Sequence, residues 1–369
     1  MLTLFRIRSF FVQSFPEKPF SNLDEQIEIL KSRGLTIYDE HAAKLALSKF
    51  GYYKLINGYG EPFEIQDEHG TKRYVEGTTF DDIFAQFSID RFVGRMIIPD
   101  ILDIEERLKA GIGYVMAEEF GVYHQLKPSI DESGVSTLFP KSYLSADNFN
   151  LSNKSYDNVI EISELIDSVT RGPIAHYRKR RSHVPPWILF DGVEFGKLTR
   201  FYQVLTTKTK SALINTMLSI PDEVSEDDLL FRNFFKILEL IRLFRNSYAH
   251  NARFSASKFP DQTLTQSFPI EVSSPTLFSK SEYRSGTGKG DLFSLFVVIT
   301  LFSDNAYSAE QRIRLYENRI QSFFKPIDEN GVPSIDTKGL AAFYAVSGLP
   351  ADFGDRIVEL SSSLFIPTA

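Results

Sequence analysis

The segment Ile241–Arg253 (IRLFRNSYAHNAR) gathers Arg242, Arg245, Asn246, His250 and Arg253 into one short stretch. Together these groups can hold a phosphodiester and move a proton, which is what cutting RNA requires. RNA carries its own nucleophile, the 2′-OH. A protein need only orient it, take its proton and stabilise the extra charge on the phosphate. Imidazole titrates near neutrality, so a histidine can serve as base or acid. A guanidinium is planar, permanently charged and matched to phosphate oxygens. His250 is therefore a candidate base or acid and Arg245 a candidate phosphate ligand. Asn246 can orient His250 or contact the scissile phosphate, and Arg242 and Arg253 can hold flanking phosphates. Glu239 can orient an arginine or form an ordinary helical ion pair.

The Arg-x4-His spacing is not distinctive, since about one match to Arg-x4–6-His is expected by chance. Arg171 with His176 and Arg178 with His183 share it. Context separates them. Gly172-Pro173 follows Arg171 and reads as a helix breaker. Arg178 lies in a basic run that ends at Pro185-Pro186. Only Arg245 has an asparagine beside it within a sustained amphipathic pattern, in which Ile237, Leu240, Ile241 and Phe244 line one side. On a straight α-helix, residues five apart differ by about 140°, so Arg245 and His250 do not share a face. Asn246, His250 and Arg253 do, and Arg242 joins them. Arg245 thus needs a local bend or a partner chain to work beside His250. A solvated polar helix face fits the same pattern equally well.

The elements that must position these groups are mostly helical. Ser21-Asn22-Leu23-Asp24-Glu25 opens a helix that Gly34 ends, and a second runs from Asp39 to Phe50. An aromatic block, Phe50 to Tyr59, is bounded by glycines and can be core or a stacking platform for bases. Residues 60–76 fit a short hairpin. Thr79 starts a pattern that persists from Phe80 to about Phe120, with a kink expected at Pro99. Residues 121–154 read as a long loop. Helical patterns return at 156–170, 191–206, 209–219 and 226–253. Residues 255–290 read as loop, 291–324 as one or two helices and 336–364 as short ones. The expected fold class is all-α. The domain expectation is an irregular lead-in at 1–20, an N-terminal helical and aromatic region at 21–79, a helical core at 80–255, a loop at 256–290 and a helical extension at 291–369.

Composition bounds the function. Hydrophobic residues make up 43% of the chain and charged ones 24%, as in ordinary globular proteins rather than disordered ones. The absence of Cys excludes disulfides, thiolate metal sites and cysteine nucleophiles, and it fits the reducing cytoplasm, the expected location. No apolar run approaches 18 residues and the first residues lack a signal-peptide pattern, so no membrane partner is expected. The net charge of −7 argues against a protein that coats nucleic acid everywhere. The charge is uneven, however. Residues 171–210 carry nine Lys or Arg against Asp191 and Glu194. A local positive field in an acidic chain suits a defined polyanion site. His176, Arg178, Lys179, Arg180, Arg181 and Lys197 are its candidate RNA-binding residues, with a solvated loop as the plainer reading of Arg178 to Arg181. Gly286-Thr287-Gly288-Lys289-Gly290-Asp291 lacks the spacing of a nucleotide-binding phosphate loop. His41, His69 and His124 are scattered without ligand spacing, so neither a metal nor a cofactor is expected.

Several blocks, taken in order, resemble one family. They are Glu25 to Leu35; Phe50-Gly51-Tyr52-Tyr53-Lys54-Leu55 through Tyr59 and Phe63; Phe87 to Arg91 with Asp103 to Leu108; Ile174-Ala175-His176-Tyr177 leading to Pro185-Pro186-Trp187-Ile188 and Glu194 to Leu198; and Arg245-Asn246-x3-His250-Asn251-x-Arg253. Across about residues 20–255 the chain resembles the Abi-like proteins, bacterial abortive-infection proteins of the AbiD and AbiF type, within the HEPN superfamily. The resemblance implies a HEPN-type helical bundle and a metal-independent endoribonuclease of phage defence. It also implies an active site built from two motif copies, hence a homodimer, with RNA as substrate and an antitoxin or small non-coding RNA as a further partner. Glu105 and Arg107 would then support the site or serve structure alone. The residues after Arg253 depart from the family pattern, since Phe254-Ser255 fits it only loosely. A non-catalytic RNA-binding or toxin-like scaffold protein is the alternative.

Overall fold

Chain geometry follows the helix signals closely in a computed structural model, which describes residues 19–66, 70–124, 128–130, 136–138, 142–151, 153–181, 183–218, 223–264, 277–325 and 335–365. Contacts divide the chain into two units, residues 1–85 and 86–369. His69 lies outside the described residues.

In the first unit, α1 (Leu23–Ser32) starts at Asn22, whose side chain accepts the Glu25 N–H while Glu25 caps the Asn22 N–H in return. The next helix, α2 (Glu40–Phe50), starts at Asp39, which accepts the Ala42 N–H. These helices pack together. They bury Ile27, Leu30, Ala43 and Leu47. A π-helical turn (Tyr53–Asn57) follows. An antiparallel hairpin then pairs β1 (Glu64–Gln66) with β2 (Lys72–Tyr74). The aromatic block divides: Tyr59 and Phe63 are core, whereas Tyr53 is exposed.

The long helix α3 (Phe80–Phe120) contains Pro99 and runs on through it. Ile89, Val93, Ile97, Ile101, Ile104, Leu108, Ile112 and Val115 are all buried. Their spacings of four, with a three at Ile104 and at Val115, make one continuous apolar stripe, which is what holds the helix against the core. Within the expected loop, β3 (Pro128–Ile130) pairs with β4 (Ser136–Leu138). After it come α4 (Asn153–Ser168), α5 (Gly172–Arg180) and the single turn α6 (Pro186–Leu189).

The break expected around Gly172-Pro173 is present, since α4 ends at Ser168 and Gly172 has φ 83°, but Pro173 itself sits in the first turn of the next helix, α5. The first-turn N–H has no helical partner anyway, so proline is tolerated there. The run Arg178 to Arg180 is accordingly the last turn of a helix and not a loop.

The remaining elements are α7 (Phe195–Val204), α8 (Thr207–Met217), α9 (Leu229–Ala249), α10 (Lys280–Ser285), α11 (Leu292–Leu301), α12 (Ala306–Phe323), α13 (Thr337–Ser347) and α14 (Phe353–Leu364). The fold is all-α, with only two small hairpins among the described residues. No described helix is long and apolar enough to cross a membrane. All ten residues of α11 are buried. That helix packs on α9 and α14, while α9 also meets α7 and α8. The inner face of α9 is Phe234, Ile237, Leu238, Leu240, Ile241 and Phe244, all fully buried. Its opposite face is thereby fixed toward the groups described next.

Candidate functional site

The end of α9 is built by the sequence Ser247 to Ser257. The helix stops at Ala249, and His250 is its cap, with a backbone N–H that donates to the Asn246 carbonyl (2.9 Å). Asn251 takes a left-handed conformation, φ 52°. Asparagine tolerates that region better than most residues. The Ala252 N–H then reaches back to the Ser247 carbonyl, 2.9 Å. Beyond the turn, buried Asp90 of α3 accepts two backbone N–H groups, from Phe254 (3.1 Å) and Ser255 (2.6 Å). Phe254 is itself buried against Phe244 and Tyr248. Gly94 lies beneath this cluster, where a methyl group would come within 3.0 Å of the Tyr248 ring. The segment that follows the motif is therefore pinned by one carboxylate and one aromatic cluster.

This ending corrects the single-face reading. The pattern 226–253 overran the helix by four residues, because the left-handed Asn251 turns the chain away. Arg253 consequently leaves the face of Asn246 and His250 and is half-buried beyond the turn.

A cavity of about 550 Å³ opens beside α9. It is lined by Glu105 and Lys109 of α3, by the segment Asp191–Gly196, and by Arg242, Arg245 and Asn246. His250 is exposed at the end of the helix and does not line it. One chain thus brings together Arg242, Arg245 and Asn246 and leaves His250 at the rim of the element. Lys109, Asp191 and Glu194 were not legible as part of this group. Lys109 alone had a local signal, its place one helical turn after Glu105.

The two arginines are held differently. Arg242 makes a forked pair with Glu239, with Nε and Nη2 donating over 2.8 and 2.7 Å. Burial pushes the Glu239 carboxyl up, but hydrogen bonds from Arg242 and Thr199 and the charges of Arg242 and Arg200 outweigh it and leave it below the ordinary carboxylate value. Arg242 is raised in turn, chiefly by its hydrogen bond to Glu239. Arg245 is looser. Its Nε stands 3.8 Å from Glu105 Oε2, beyond hydrogen-bond reach, and its side chain is 41% exposed. Glu105 is buried, and that same Oε2 has no hydrogen-bond partner among the described residues. Lys109 Nζ lies 3.6 Å from the other Glu105 oxygen and donates to Glu106 at 2.8 Å. Burial pulls the Lys109 ammonium down, but Glu106, Glu105 and Asp191 together hold it above its usual value.

Three cations and three carboxylates therefore line the cavity. Of the cations, Arg245 is the one with freedom to swing toward an incoming anion.

The other candidates lie elsewhere. The Arg178 guanidinium is taken up by the carbonyls of Ile166 and Asp167 at the C-terminal end of α4. It satisfies orphan carbonyls of that helix and complements its dipole. His176, Lys179, Arg180 and Arg181 are exposed on α5 or just after it. Lys197 and Arg200 flank Glu161, at 3.7 and 3.5 Å. His124 accepts the Val184 N–H at 3.0 Å. Arg107 donates to the Phe302 carbonyl (2.9 Å) and to Asp304 (3.0 Å), away from the cavity lining. The Gly286–Asp291 loop spends its own donors internally, since Gly288 N–H bonds to Asp291 and Gly290 N–H to Ser294. No group of three or more His, Asp or Glu that could hold a metal ion occurs among the described residues.

The chain belongs to the family of Abi-like proteins, whose model matches residues 45–255, more than half of its length. The match includes α3 from its first residue, the Asp191–Gly196 segment and the whole of α9. Membership implies a part in abortive infection, that is, in defence against phage. No curated protein and no solved structure matches the chain.

Proposed function

We propose that this protein is a metal-independent endoribonuclease of the HEPN type, which acts as a homodimer and cuts RNA in abortive infection. The observation that carries this reading is the cavity shared by Arg242, Arg245 and Asn246 on a helix capped by His250. The chemistry is internal transesterification. The 2′-oxygen attacks phosphorus as His250 takes its proton, the bond from phosphorus to the 5′-oxygen breaks, and that oxygen is protonated as it leaves. The products are a 2′,3′-cyclic phosphate and a 5′-hydroxyl. Arg245 stabilises the charge on the phosphate, and Asn246 orients the histidine or the phosphate. Arg242 and Arg253 hold flanking phosphates, and the exposed His176, Lys179, Arg180 and Arg181, with the half-buried Lys197, give the longer RNA its path. Glu105 sets the resting position of Arg245.

Arg245 and His250 lie about 140° apart around the helix. A two-fold axis beside the end of α9 would bring the Arg245 of one chain to the His250 of the other. An antitoxin or small non-coding RNA would then act by covering the composite site.

The test is incubation of the purified protein with mixed RNA in EDTA, followed by mapping of the ends. The expected result is cleavage that leaves cyclic or 3′-phosphate ends and is abolished in His250→Ala. A requirement for Mg²⁺ with 3′-hydroxyl products would overturn it. Mixing Arg245→Ala with His250→Ala chains should restore part of the activity, because one of the two sites in the mixed dimer is intact. A second reading, a non-catalytic RNA-binding or toxin-like scaffold protein, draws on the separation of His250 from the cavity in the single chain. Tight RNA binding with no cleavage under any of these conditions would favour it.

A further inference from the structure

A second cavity, of about 610 Å³, adjoins the first along α3 and shares Lys109 and Asp191 with it. Its character is different. Its aromatic members are Tyr114 and Trp187, which are 55% and 48% exposed. Such exposure is unusual for the only tryptophan of a chain rich in buried rings. The small side chains Ala110 and Ala117 line it as well. Gly113 packs directly under the Trp187 backbone, since a methyl group there would fall 2.8 Å from the Trp187 Cα. The tryptophan is thus carried on a rigid support. Tyr114 donates its hydroxyl to Glu118 over 2.8 Å. Glu118, Glu106 and Asp191 supply acceptors, and Lys109 is the one cation in the lining.

We infer that this cavity is a nucleobase subsite, which takes the base next to the phosphate held at Arg245. The inference rests on the nuclease reading above. Three features carry it. The groove adjoins the arginine cavity and shares Lys109 and Asp191 with it, so neighbouring parts of one nucleotide chain can reach both. Exposed aromatic rings are the surfaces on which unstacked RNA bases settle. An excess of carboxylates repels phosphate and selects the part of a nucleotide that is uncharged and rich in donors. Carboxylates accept from exocyclic amino groups. Guanine offers adjacent N1–H and N2–H₂ donors. Adenine and cytosine offer an amino group, whereas uracil offers one N–H between two carbonyls that a carboxylate repels. The site therefore favours guanine and disfavours uracil.

The single tryptophan makes the test direct. The unaltered protein is titrated with guanosine and uridine 5′-monophosphates, and with a short 2′-O-methyl RNA that cannot be cut. Trp187 emission is read alongside the anisotropy of the labelled RNA. The expected result is quenching by the RNA, and by the guanosine nucleotide at lower concentration than the uridine one. Trp187→Ala should weaken RNA binding roughly five- to a hundredfold, whereas Trp187→Phe, which keeps a ring, should stay within a few-fold of the parent. RNA that binds by anisotropy and is cut when its 2′-hydroxyls are free, with no change in Trp187 emission, would overturn the subsite and leave the nuclease reading intact. Emission that shifts only with protein concentration, and not with RNA, would overturn it in favour of a second copy seated on the groove. Absence of both binding and cleavage would remove the nuclease reading and the subsite with it.

Discussion

Replacing Asp90 with Ala should release the segment that follows the motif while substituting none of the proposed RNA-contacting residues. The carboxylate is 4% exposed and accepts N–H groups from Phe254 and Ser255, at 3.1 and 2.6 Å. A hydrogen bond to a charged group contributes about 1.5–3 kcal/mol, and a buried donor left without a partner costs about 1–3 kcal/mol. The two bonds go to the two oxygens of one carboxylate and are not additive, so the expected loss is about 3–5 kcal/mol. Unfolding entropy is about 2.1 cal/mol/K per residue. For the unit comprising residues 86–369, that converts the loss into a fall in Tm of roughly 5–8 °C. Asp90→Asn keeps one acceptor oxygen and should lose about half as much. The assay is thermal unfolding by circular dichroism, joined to amide hydrogen exchange. The Phe254 and Ser255 amides should exchange faster than in the parent at temperatures well below the transition. If the Asp90→Ala protein melts within 1–2 °C of the parent and those two amides stay protected, the packing of Phe254 on Phe244 and Tyr248 suffices by itself and the argument fails.

His250→Ala should lower RNA cleavage by about 10²–10⁴-fold with no change in the helical signal, because His250 is exposed at the end of α9; collapse of the fold would contradict that placement. Asn251→Ala should cost about 1 kcal/mol in urea unfolding, and Asn251→Gly nothing measurable, since φ is 52° there; equal stability of all three would mean that the turn is not left-handed in solution. Glu282→Gln tests the pH dependence. Hydrogen bonds from Arg356, and then Ser279, hold the Glu282 carboxyl down to about 2 from 4.5. A depressed carboxylate stabilises the fold fully above the unfolded value of 4.5, and the contribution fades as pH falls toward about 2. After allowance for screening at a partly exposed pair, the variant should be less stable by about 1–2 kcal/mol at pH 7, with a gap that shrinks by more than half at pH 3. A gap that grew on acidification would reverse the sign of the linkage.

Much of the fold was legible wherever a local rule acted alone. Asn22 and Asp39 announced their helices because an asparagine or aspartate side chain caps the first N–H groups, and the apolar repeat from Phe80 announced the long helix. The break at Gly172-Pro173 was legible, but not that a new helix starts from it, because proline is equally at home after the end of one helix and in the first turn of the next. The helix α10 carried its own signature, Ser279 with Glu282 three residues on, inside a stretch whose serines and glycines read as loop. At the candidate site, Arg242, Arg245 and Asn246 were legible as neighbours on one helix. Glu105 was legible only as a bystander, and Lys109 and Asp191 not at all as members, because their place depends on how α3 and the Asp191–Gly196 segment meet α9. Arg253 was misplaced by a single backbone angle at Asn251 that no periodicity encodes.

The fully buried α11 has a consequence for the timing of synthesis. It covers the inner face of α9, yet it is completed at Leu301, well after the ribosome has finished Arg253. Its own other partner, α14, ends only at Leu364. At about 5–20 residues per second, the interval from Arg253 to that point lasts roughly 5–20 s. Throughout it, α9 rests on the helices made before it, α7 and α8 among them, while the side that α11 covers stays open. The helix that carries Arg242, Arg245 and Asn246 is thus buried on its inner side only once a segment made about fifty residues later has folded onto it.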